Sequence, residues 1–121
     1  MGTFGVGPFD SDGAQDLLED LASRAPQNRA EVLAALLRLP IADPESVGRE
    51  VFADEVVAAV AVIVTGSPEV PAAEVPRLAE LAAAALPIVT ESWGQGWTSP
   101  ADAAAASDTV KRLSEALRTI C

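Results

Sequence analysis

The chain has 121 residues, a length that fits one domain spanning residues 1–121 and leaves little room for a second. Its formal net charge is −10, from 18 acidic and 8 basic side chains, so it repels the phosphates of nucleic acids and of anionic membranes. The sequence has no histidine, which removes the usual general base near neutral pH and most transition-metal sites.

The composition favours a cytoplasmic, all-helical protein. Half of the residues are hydrophobic but only 4% are aromatic, so small aliphatic side chains must form the core, and alanine has the highest helix propensity. The one cysteine, Cys121, excludes an intramolecular disulfide and fits a reducing compartment. We find no secretory signal and no membrane span. The preference for arginine over lysine, with so much alanine, is typical of a GC-rich bacterial genome.

The first expected element is an ordered, glycine-rich segment over residues 1–10, in which Phe4 and Phe9 pack against the body of the domain. A first helix follows over about residues 11–24, because its apolar residues recur at the spacing of one helical face. Aspartates at its start suit the positive end of the helix dipole.

A second helix is predicted over about residues 28–39, with Pro40 ending it. The third helix is expected to begin near Pro44 or Glu45. Asp43 is a good capping residue, and proline suits the first position of a helix.

In the first half of this third helix, Val47, Val51 and Phe52 are predicted to face inward. The second half, residues 56–64, is apolar on every side and must therefore be covered all round, which predicts the central element of the fold. Its β-branched residues would also permit a buried strand. We favour a helix because no partner strand is visible.

Residues 66–71 form a loop, and a fourth helix is predicted over about residues 74–86, with Pro87 kinking or breaking it. The stretch of residues 92–100, SWGQGWTSP, is expected to be irregular. Ser99 caps the last helix, with Pro100 at its first position.

An apolar stripe along the last helix repeats at alternating spacings of three and four. It comprises Ala103, Ala106, Val110, Leu113, Leu117 and Ile120. Such a stripe docks on its own bundle, the commoner outcome, or pairs with another copy in a structural homodimer. The fold class that these elements predict is all-α, a compact bundle of about five helices with an ordered, glycine-rich N-terminal segment.

Carboxylates are the only plentiful reactive groups. Asp16 and Glu19 lie one turn apart on the first helix, and Glu50 and Asp54 lie near the start of the third. If these helices were neighbours, the four carboxylates could hold Mg²⁺, as in all-helical nucleotide pyrophosphatases. The alternative is that carboxylates near helix N-termini stabilise the helices and face water.

Two surfaces are candidates for binding a partner. One is the acidic first helix, with Asp12, Asp16, Glu19 and Asp20. The other is the glycine-bearing stretch with Trp93 and Trp97, because tryptophans in surface loops are frequent binding anchors. Tryptophan is more often a core residue, which we favour for Trp93, while Trp97 is left open.

The two glutamates beside the apolar centre of the third helix, Glu50 and Glu55, raise a separate expectation. A carboxylate that is half-buried there needs a partner, and Arg29 or Arg38 could provide it.

The opening of the chain resembles a bacterial family known as domain of unknown function 4259, whose members begin Met-Gly-x-Trp-Gly-x-Gly-x-Phe-x-Asn-Asp-x-Ala-x-Asp. The matching residues are Gly2, Gly5, Gly7, Phe9, Asp12, Ala14 and Asp16. Phe4 replaces the tryptophan of that pattern and Ser11 replaces the asparagine. The residues Ala53, Glu55, Val56, Ala58 and Ala59 resemble the family's Ala-x-Glu-x-x-Ala-Ala helix. Trp93 and the closing helix, residues 110–120, resemble its carboxyl end. The resemblance implies a small helical domain with an ordered N-terminus, and no catalytic residue or cofactor.

The leading functional hypothesis is a cytoplasmic protein-binding module, conceivably an immunity or inhibitor protein, whose partner is basic. The acidity, the small size and the lack of catalytic groups favour it, because charge steering accelerates association. Two alternatives stay open: a Mg²⁺-dependent all-helical hydrolase and a structural homodimer. We expect no cofactor and no enzymatic activity.

Overall fold

The computed structural model describes residues 12–66, 69–95 and 99–120, and it confirms the all-α class. Five α-helices form a compact bundle in this part of the chain. Their bounds are α1 Asp12–Ala22, α2 Pro26–Ala42, α3 Ala53–Thr65, α4 Val75–Gln95 and α5 Pro100–Ile120, and short 3₁₀ turns lie at Pro44–Ser46 and Ala72–Glu74. The expected lead-in with Phe4 and Phe9 lies outside the described residues.

Helix α3 is the central element, as its sequence predicted. Residues 56–63 are all buried, and the helix packs against α1, α2, α4 and α5. Gly66 ends it in the left-handed region, with φ 73°, where a side chain would be strained. Its N–H donates to the carbonyl of Val62 at 2.8 Å. The β-branched run is therefore a buried helix and not a strand.

The apolar stripe of α5 packs inside the chain. Ala106, Val110, Leu113 and Leu117 are buried, and α5 contacts α3 and α4. At the start of this helix the Asp102 N–H faces the Ser99 hydroxyl at 3.5 Å, which is the predicted capping arrangement. Of the two outcomes weighed for this stripe, docking on its own bundle is the one observed.

Two prolines lie inside helices. The prediction that Pro40 ends the second helix is wrong, whereas Pro87 was predicted to kink or break the fourth helix, and the helix does not break there. Helix α2 passes through Pro40 to Ala42, and α4 passes through Pro87 to Gln95. Proline removes one backbone hydrogen bond from a helix interior. In both cases buried side chains offset that loss: Pro40 is itself buried, and α4 buries Val89 and Trp93 beyond its proline.

The predicted start of the third helix is also wrong. Asp43 does act as a cap, accepting the Glu45 N–H at 3.1 Å, but it caps only the 3₁₀ turn Pro44–Ser46. Gly48, with φ 91°, then turns the chain, and α3 begins at Ala53. Buried Ser46 fixes this turn, because its hydroxyl donates to the carbonyl of Asp43 at 2.7 Å.

The guanidinium of Arg29 forms hydrogen bonds that connect the end of α1 to other parts of the bundle. Its Nε donates to the carbonyl of Leu21 at 2.7 Å and to that of Arg24 at 3.0 Å. One terminal nitrogen reaches the carbonyl of Glu69 at 2.8 Å. A cation at the C-terminal end of α1 satisfies carbonyls that the helix leaves free and complements its dipole.

Candidate functional site

The first turns of α1 and α3 meet, and this contact brings carboxylates together. The Asp54 side chain, in the first turn of α3, lies against the backbone of Gly13 in the first turn of α1. A Cβ added at Gly13 would lie 3.1 Å from Asp54 Cγ and closer still to its Oδ2. The glycine therefore permits the close approach. The Asp54 carboxylate faces the positive end of the α1 dipole.

Glu55, next along α3, is half-buried at the same contact. Phe52 is the N-cap of α3, and its backbone N–H donates to the Glu55 carboxylate, one half of a capping box. Burial and the charge of Asp54 raise the pKa of Glu55, and Asp16 raises it further, although the Phe52 hydrogen bond acts in the opposite direction. We call the group of Asp16, Asp54 and Glu55 the acidic junction.

The cationic partner predicted for Glu55 is not there. Arg29 is occupied by backbone carbonyls, and Arg38 lies exposed on α2. Over residues 12–66, 69–95 and 99–120, no ion pair joins an arginine or lysine to Glu55. Glu50, which was expected to be half-buried as well, is exposed. The acidic junction therefore combines partial burial with negative charge that no arginine or lysine of the described residues pairs.

The four acidic residues of α1 that were predicted to bind a partner share an exposed face. Asp12, Asp16, Glu19 and Asp20 are all exposed, and their spacing places them on one side of the helix. Asp20 pairs with Arg24 on the same helix at 3.1 Å, an exposed contact of small energetic value. Asp16 is the residue of this face whose negative charge raises the pKa of Glu55.

The predicted magnesium ligands do not form a ligand set. In the described ranges, no group of three or more Asp, Glu or Cys side chains is placed to hold a metal ion. The fold brings Asp16 and Asp54 to the acidic junction, but Glu50 lies exposed in the turn before α3, and Glu19 lies exposed on α1. The geometry of these residues gives the hydrolase alternative no support.

Trp93 is not a surface anchor. It lies within α4, which continues to Gln95 where an irregular segment was predicted, and only 6% of the residue is exposed. Its indole N–H donates to the carbonyl of Ala106 at 3.2 Å, which joins α4 to α5. This burial agrees with the core role favoured for Trp93 and leaves little of the residue exposed to a partner. Trp97 lies outside the described residues.

The residue that sequence reasoning missed is Phe52. It was predicted to face inward beside Val51, but α3 begins after it, and Phe52 is 48% exposed while Val51 is fully buried. Its backbone is next to Glu55, and its ring is exposed at the start of α3. The adjacent residues Val51 and Phe52 contained the information needed to predict this. Once the helix start moves to Ala53, neighbouring residues in extended backbone point to opposite sides.

Two grooves also lie on the surface of the described part of the chain. A polar groove lies where α2 begins, lined by Gln27, Asn28, Glu74 and Arg77, and the last two form an ion pair at 2.8 Å. A smaller apolar groove separates α4 from α5 beside Pro87. No described helix combines the length and the apolar character needed to cross a membrane.

Fold and site together define a small, acidic helical bundle with a cluster of carboxylates where α1 meets α3, and among its described residues no group of three or more side chains is placed to hold a metal ion. The sequence profile of the family described as Domain of unknown function (DUF4259) matches residues 2–120, so the chain belongs to that family. No curated protein and no solved structure matches it. Asp16 and Glu55 come from two of the three segments that resemble the family pattern, and in the fold the charge of Asp16 acts on Glu55.

Proposed function

We propose that the protein binds a basic protein partner through the acidic junction and the exposed ring of Phe52. The observation that carries the proposal is Glu55, a half-buried carboxylate that faces Asp54 and Asp16 with no cation paired to it in the described chain. A partner's cation entering this site would relieve the repulsion.

The chemistry of the site favours arginine as the contacting residue. A guanidinium is planar and can donate to two carboxylates at once, while its face stacks on an aromatic ring. The acidic junction offers the carboxylates, and Phe52, nearly half exposed, offers the ring. Lysine would satisfy the charge without the stacking geometry. The proposed partner surface is therefore an arginine-bearing loop or helix of a basic protein.

The charge of the whole chain supports the same proposal. With a net charge of −10, the protein accelerates its encounter with a cationic surface, and the exposed acids of α1 extend the negative field beyond the acidic junction. Such features suit an immunity or inhibitor protein that covers the cationic site of a bacterial toxin or enzyme in the cytoplasm. The same field disfavours nucleic acids and anionic membranes.

Affinity capture with matched variants tests the proposal. The immobilised wild-type chain is exposed to lysate of its source organism at low and at high salt. It is compared with the double variant Asp16→Asn/Glu55→Gln. The control Glu80→Gln/Glu115→Gln removes the same charge from exposed positions on α4 and α5. We expect a basic protein that the wild type and the control retain at low salt, and that the junction variant loses.

Direct titration of the captured protein then gives the size of the effect. Removing both charges at the acidic junction should weaken binding at least about tenfold, because a hydrogen bond to a charged group contributes about 1.5–3 kcal/mol. Phe52→Ala should also weaken binding without unfolding the chain, since the ring is half exposed. Equal retention by the junction variant and the control, or no retained protein at either salt, would refute the proposal.

A further inference from the structure

We draw no further inference here: the strongest candidate, the small apolar groove between α4 and α5 that is lined by Pro87, Leu117 and Arg118, carries none because nothing in the structure shows what covers it.

Discussion

Replacing Glu55 with glutamine tests the acidic junction in the free protein. Glutamine removes one negative charge but keeps an oxygen that can accept the Phe52 N–H, so the capping interaction survives in weaker form. Because the negative charges of Asp54 and Asp16 oppose ionisation of Glu55, we expect the variant to be more stable than the wild type at neutral pH.

The sign of the pH dependence follows from the raised pKa of Glu55. The folded chain holds this proton more tightly than the unfolded chain, so the resulting stabilisation is fully present below the unfolded pKa, near the ordinary value of 4.5. It is lost as the pH rises through the folded pKa. The advantage of glutamine over glutamate should therefore grow as the pH rises from the ordinary value of 4.5 through the raised pKa of folded Glu55, and level off above it.

The expected magnitude is small but measurable. A contact between partly exposed charges changes stability by about 0.2–1 kcal/mol, and two like charges, Asp54 on the same helix and Asp16 on α1, act on Glu55. The weaker hydrogen bond of the neutral amide offsets part of this gain, and water screens a half-exposed group. We expect about 0.5 kcal/mol of net stabilisation at pH 8, which shifts the midpoint of urea unfolding by about 0.2–0.5 M.

Urea unfolding followed by circular dichroism, at several pH values above the isoelectric point of about 4.2, provides the assay. Glu115→Gln is the matched control, because it removes the same charge from an exposed position on α5. A glutamine variant that is less stable than wild type at pH 8, or a difference that is constant across the pH range, would refute the reasoning. Either result would mean that the ionised carboxylate is compensated in solution.

Three further predictions concern packing and hydrogen bonds in the same structure. Gly13→Ala should raise the free energy of unfolding by about 0.5–1 kcal/mol in an Asp54→Ala background, where the added Cβ meets no carboxylate. In the wild type the gain should be clearly smaller. A double-mutant cycle of unfolding free energies that shows no coupling between the two positions would contradict this. Trp93→Phe should cost about 0.5–1.5 kcal/mol, because the Ala106 carbonyl keeps its helical hydrogen bond within α5 but loses the second one, from the indole, and an unchanged unfolding midpoint would count against that hydrogen bond. Arg29→Met should cost about 1–2 kcal/mol, whereas Arg38→Met, on the exposed face of α2, should change stability by less than about 0.5 kcal/mol. Equal losses in the two arginine variants would show that the backbone contacts of Arg29 contribute little.

The central helix was predictable from sequence because its signal is local. An apolar run with no polar face must be enclosed, whatever surrounds it, and residues 56–63 are buried as that rule requires. The capping signal at Ser99 and Pro100 was equally local and placed the start of α5 correctly. In both cases, residues adjacent in sequence determine the outcome.

Pro40 and Phe52 were mispredicted, and Pro87 was left between a kink and a break, because long-range packing decides their structure. Whether a helix continues past Pro87 depends on which side chains its next turns can bury. The hydrogen bond that buried Trp93 forms there is accepted by a carbonyl of α5. The start of α3 depends on the turn that buried Ser46 stabilises, and that start determines which side of the chain Phe52 faces. Propensity rules evaluate each segment separately and cannot include these contributions.

The acidic junction shows the same division between local and long-range information. Asp16 and Glu55 were each visible as acidic residues, but their proximity depends on the packing of α1 against α3. The predicted pairing of Glu55 with Arg29 followed from a correct rule, that a half-buried charge needs a partner. The backbone carbonyls at the end of α1 bind that arginine instead, and sequence spacing carries no information about such competition.

Stability and binding measurements on one variant separate a functional acidic junction from a structural one. If Glu55 only supports the fold, glutamine should weaken both the free protein and any complex, because the same contacts serve both. If the repulsion at the acidic junction is relieved by a partner's cation, glutamine should stabilise the free chain and weaken the complex. Opposite signs in the two assays are difficult to explain by a purely structural role, since a loss of folding cannot raise the unfolding midpoint. A residue that lowers the stability of the fold is expected at a position where binding of a partner depends on that residue.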